Sequence, residues 1–211
     1  TNNGTFNLSN GIGIGNDADP DPIINNNGTF NWNNASITFW DATFNNNASG
    51  IFNANDNNGM GVWSGNNILF NNAGTFNKQN GTGITTIGVP WQNSGTVNVN
   101  EGELHSSNSF VNTGRFNLAN GKILANNNTF SSNTGGQFSG SGIFHNNGTF
   151  ILNAALNLPG AITFNQVNGQ IRGGNVLTVN GVLNWTGGNL NTHLTNNGTF
   201  NLSNGIGIGN D

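Results

Sequence analysis

The chain contains no cysteine, no tyrosine, one methionine and four prolines, and only 6% of its 211 residues are charged. Without cysteine there is no disulfide scaffold and no thiolate metal or redox site. Four Lys and Arg residues are too few for a phosphate-tracking surface, which argues against nucleic acid as a partner. No apolar run approaches the roughly 18 residues of a membrane-spanning helix. Good helix formers are scarce, whereas Gly (33 residues) and Asn (51 residues), both poor in helices, abound. Such a composition is all-β or disordered. Leu, Ile, Val and Phe make up roughly a quarter of the residues, above the level typical of disordered chains. Charge has been replaced by Asn, Ser, Thr and Gly while the core-forming residues remain.

Residues 1–17 and 195–211 are the same string, TNNGTFNLSNGIGIGND, at an offset of 194. Either the native chain is a tandem array of 194-residue units, or it was cut from an assembly with that period. We therefore expect 1–211 to be one continuous domain, with 1–194 one unit and 195–211 the start of the next. Within the unit a shorter phrase, Gly-x-Phe-Asn-apolar, recurs in its main form from Gly4, Gly28 and Gly74 (the last ending in Lys78) and in looser copies from Gly50, Gly95, Gly114 and Gly136. The starts from Gly4 to Gly136 step by 24, 22, 24, 21, 19 and 22 residues. Steps of this size mark a solenoid, with about nine turns per unit.

Each step holds short apolar alternations, such as Phe6/Leu8 and Ile12/Ile14, bounded by Asn, Gly and Ser. Period-two alternation between such breakers predicts short strands. Stacked turns place equivalent residues about 4.8 Å apart. The expected fold is an all-β parallel β-helix, and variable turn lengths favour the right-handed form over a strict hexapeptide one. Phe6, Phe30, Phe52, Phe76, Phe116, Phe138, Phe150 and Phe200 are expected to stack in its interior, and turn Asn residues to form hydrogen-bonded ladders.

Phrases such as Asn147-Gly148-Thr149-Phe150, Asn196-Asn197-Gly198-Thr199-Phe200-Asn201-Leu202 and Leu183-Asn184-Trp185-Thr186-Gly187-Gly188 resemble the repeats of bacterial extracellular β-helix proteins. These are the filamentous-haemagglutinin-like and autotransporter-passenger-like surface proteins. The resemblance is one of repeat texture. It implies a secreted or cell-surface rod serving adhesion, matrix or sheath, and it carries over no active-site residues.

Three constellations could carry chemistry. Glu101, Glu103 and His105 alternate around Leu104, so a strand would turn all three outward, at a spacing that suits paired carboxylates or a carboxylate–His metal site. Asp17, Asp19 and Asp21 alternate with prolines nearby and supply hard oxygen ligands for calcium, or simply a turn. Asn3, Asn27, Asn147 and Asn197 lie in Asn-x-Ser/Thr sequons, which can accept N-linked sugar on an exposed fibre. The five tryptophans, Trp32, Trp40, Trp63, Trp91 and Trp185, read first as core or edge residues. His145 and His193 read as surface or ladder residues.

From sequence, the leading expectation is a non-enzymatic structural protein: a self-associating segment of an extracellular fibre, sheath or matrix that assembles end to end. An adhesin stalk contacting a surface or glycan is the alternative, with residues 30–63 and the irregular stretch 151–194 as the places for contact. A polysaccharide-degrading enzyme built on Glu101 and Glu103 is the third. No cofactor is called for beyond calcium.

Overall fold

The computed structural model describes residues 1–15, 20–203 and 207–208. Every regular element among them is a β-strand, and every strand pairing is parallel. The strands follow one another around three sheets in strict rotation, giving a solenoid of about ten coils. The first face begins with Thr5–Leu8, Thr29–Trp32 and Ile51–Ala54. The second begins with Ile12–Gly15 and Ile37–Trp40, the third with Ile23–Asn26 and Thr43–Asn46.

Most strands are four residues long, with a burial pattern in which alternate residues point inward. This is the pattern that period-two hydrophobicity dictates. Registers match residue types: Phe30 pairs with Phe6 and Phe52, and Asn31 with Asn7 and Asn53. Phe30, Phe52 and Phe76 stack inside, and the exposed Phe6 of the first coil lies on the end of the same stack, with successive centroids from Phe6 to Phe76 5.0, 4.9 and 5.3 Å apart. Phe44 meets Phe52 edge-on at 5.4 Å from the third face, the other favoured aromatic geometry.

The expected single phenylalanine column divides among three faces. Phe6, Phe30, Phe52, Phe76, Phe116 and Phe138 lie on the first, with Val97 between Phe76 and Phe116. Phe150 is on the third, between Phe130 and Ile171, and Phe200 is on the second, beside Leu183. The stretch 151–194 looked irregular because Gln170–Val179 and Asn189–Asn196 each run round a corner. Their first halves lie on the third face, while Leu177 and Val179 pair with the short strand Leu156–Leu158.

The repeated string is consequently out of phase with the coil. Thr5–Leu8 lies on the first face, whereas its copy Thr199–Leu202 is on the second. Gly13 and Ile14 lie on the second face, and their copies Gly207 and Ile208 on the third. One 194-residue unit therefore spans nine coils and one further face.

Candidate functional site

The feature repeated most often is the side-chain amide ladder, in two kinds. Inner ladders run where strands turn a corner. Asn2, Asn26, Asn46, Asn72, Asn93 and Asn112 form one, each Nδ2 donating to the next coil's Oδ1 at 2.7–2.9 Å. Asn26 through Asn112 are wholly buried. Several also donate to the backbone carbonyl that opens a following strand, as Asn46 does to Thr75 and Asn72 to Thr96. A second inner ladder joins Asn126, Asn146 and Gln166 at another corner. Outer ladders run in the opposite sense, each Nδ2 donating to the preceding coil: Asn31 to Asn7, Asn53 to Asn31, Asn77 to Asn53, Asn98 to Asn77. An amide can serve because it both donates and accepts, and a buried amide left without partners would be costly.

The sequon residues belong to these ladders. Asn27, Asn147 and Asn197 donate their Nδ2 to Asn3, Asn127 and Asn180. N-linked sugar at any of the three would use the nitrogen that makes a rung. Asn3 acts as an acceptor, from Asn27.

The acidic candidates separate. Glu101 is not on the strand that carries Glu103 and His105, which is Glu103–Ser106. It precedes the corner glycine Gly102, whose φ of 60° turns the chain closely over Gly83 of the preceding coil, and its Oε2 lies 2.8 Å from Lys122 Nζ. Glu103 and His105 do share the outer surface with Leu104 buried between them. Glu103 Oε2 accepts from His105 Nε2 at 2.8 Å, and His105 Nδ1 accepts from Asn127 at 3.2 Å. Each carboxylate thus has a cationic or imidazole partner. His145 lies two coils on from His105 in the same outer column. Burial pushes its pKa down, against the field of Glu103, and its Nε2 accepts from Asn165 at 2.7 Å.

Of the calcium candidates, Asp17 and Asp19 lie outside the described residues. Asp21 accepts from Asn67 at 3.2 Å. Among the described residues no group of three or more His, Cys, Asp or Glu side chains is placed to hold a metal ion. His193 is exposed, and Arg115 donates to Gln137 on the next coil.

Trp32, Trp91 and Trp185 are core residues, but Trp40 and Trp63 lie outside. The pairing of Ile37–Trp40 with Gly59–Ser64 slips after Phe39, so Trp63 is the extra residue of a bulge, a device that re-aims a side chain. It is 78% exposed. With Thr38, Trp40 and Ser64 it lines an open groove of about 410 Å³. Trp40 lies over Gly13 and Gly15, where a Cβ would collide with its ring.

Lys78 was not anticipated. It occupies an inward position aligned with Trp32, Ala54, Val99 and Leu118, and it is fully buried. Nζ donates to Gly81 O at 2.6 Å, Asp56 O at 3.1 Å and Asn57 Oδ1 at 3.4 Å. Burial pushes its pKa down, with the Asp56 and Glu101 carboxylates opposing. A lysine in the Leu, Trp or Val slot of the Thr-Phe-Asn-x phrase was the available signal.

Together these features define a parallel β-solenoid with three strands per coil, sealed by amide ladders. Compared with protein-family models, curated proteins and solved structures, the chain matches none of them. No helix among the described residues is long and apolar enough to cross a membrane.

Proposed function

We propose that this chain is a structural segment of an extracellular or cell-surface fibre, sheath or matrix, continued along its axis by further units. The observation that carries the reading is the like-on-like stacking of the coils. Phe meets Phe and Asn meets Asn from coil to coil in fixed register, so a coil offers its neighbour a matching surface. The residues devoted to this, inside and out, far outnumber those in any one pocket. In a repeat rod stability comes from such neighbour interfaces. Electron microscopy of the native source is expected to show thin filaments with an axial rise per unit of about 45 Å, nine and a third coils at about 4.8 Å each. Discrete particles capped by unlike domains would overturn the reading.

The Trp40–Trp63 groove favours a second reading, in which the rod also contacts glycan. Two indoles flanked by hydroxyls suit the apolar faces and polar rims of sugar rings. Binding to a glycan array that drops at least tenfold in Trp63→Ala, with an unchanged melting temperature, is the expected result. Equal binding by the variant would remove this reading. Hydrolysis is not proposed for Glu101 and Glu103, since one sits in a corner paired with Lys122 and the other is paired with His105.

A further inference from the structure

We propose that Lys78 and Asn57 become joined by an amide bond between their side chains, a covalent staple from one coil to the next that the chain forms in itself. The two residues are 21 apart in sequence, and Lys78 Nζ lies 3.4 Å from Asn57 Oδ1. What surrounds the pair has the parts of an acyl-transfer site. The nucleophile is an amine held out of water inside the coil, its direction fixed by the carbonyls of Gly81 and Asp56. Desolvation favours the neutral, nucleophilic form of an amine, and the pKa of Lys78 is lowered in that sense. The electrophile is the Asn57 carboxamide carbon. The Gly83 N–H donates to Asn57 Oδ1 at 2.9 Å, at the oxygen on which negative charge develops when a nucleophile adds to the carbon. Asn57 itself reaches the surface, so a leaving group has an exit.

The step balances without cofactor or oxidant. The Nζ–Cγ bond forms, the Cγ–Nδ2 bond breaks, and ammonia departs. The proton that Lys78 carries as an ammonium leaves with it as an ammonium ion. Asp56, within electrostatic reach of Lys78 and anchored by the Asn57 N–H to its Oδ1 at 2.7 Å, supplies a carboxylate to pass that proton on. The competing arrangement is a lysine ammonium caged by three oxygens. It leaves a charge fully buried with no carboxylate in contact, a costly state that amide formation abolishes.

The experiment is intact-mass measurement of the full chain, followed by tryptic mapping. The expected mass is lower than that of the sequence by one ammonia. Trypsin is expected to cut after Arg115, Lys122 and Arg172 but not after Lys78, and fragmentation should place the link at Asn57. Lys78→Arg and Asn57→Ala should each restore the full mass, and Lys78→Arg should restore cleavage at position 78. A full sequence mass with cleavage after Lys78 would overturn the proposal. So would an ammonia loss mapped to an Asn-Gly pair such as Asn80-Gly81, where the backbone can cyclise, with Lys78 still cleaved. The wild-type measurement decides even if a variant fails to fold, and it stands whether or not the rod assembles into fibres.

Discussion

Asn165 illustrates what an amide does at a position where a charge would fail. Its Oδ1 accepts from Asn184, which turns its Nδ2 onto His145 Nε2 at 2.7 Å. That hydrogen bond needs the imidazole neutral, in line with the lowered pKa that burial imposes. The unfolded chain, with an ordinary histidine, then binds more protons than the folded one between the two pKa values. Stability is therefore full above the unfolded pKa, near 6.5, and falls as pH drops through that window toward the folded value. Chemical denaturation at pH 7 and pH 5 should show this loss. In His145→Asn, which extends the Asn165–Asn184–Asn201 ladder by one rung, the contribution of this site should vanish. An unaltered pH dependence would assign it to other groups. At this scale the sequence was legible in kind: Asn ladders follow from donor–acceptor chemistry and a fixed spacing. It was not legible for Glu101, because the corner is set by Gly102 packing over Gly83 of the preceding coil rather than by alternation. Nor did composition reveal that Lys78 points inward.

The strands are uniform, and the corners decide the path. At the junction from third face to first, Gly28, Gly74, Gly95 and Gly114 stack so closely that a Cβ on each would lie 2.1–2.2 Å from the carbonyl oxygen of the glycine below. Only glycine allows that approach. Gly95→Ala should therefore cost more than about 1 kcal/mol, read as a lower denaturation midpoint. Gly61→Ala, on a strand where a Cβ meets nothing within 4 Å, is the matched control, and equal loss in both would refute the stacking account. The same crowding recurs at Gly148 and Gly169 on a second corner, and at Gly181 and Gly198 on the third. This is why the turn period could be read from sequence while the face could not. Gly148-Thr149-Phe150 and Gly28-Thr29-Phe30 are the same phrase at different corners, and nothing local distinguishes them.

For the molecule as a whole, scarce charge is a condition of the architecture. A charge repeated coil after coil would oppose its own copies about 4.8 Å away, and three of the charges present sit against partners, Glu101 with Lys122 and Glu103 with His105. Near-equivalence of the three corners has a further outcome through the one-face offset between Thr5–Leu8 and Thr199–Leu202. In a tandem array of this unit each copy would be turned by a third of a revolution relative to the last. Like parts would follow a threefold screw, returning to the same side after three units, about 28 coils or about 134 Å. The Trp40–Trp63 groove would then look outward in three directions in succession. A fibre built this way has no preferred side: each feature that its unit carries once is offered all round the axis, without a second gene or a symmetric oligomer to place it there.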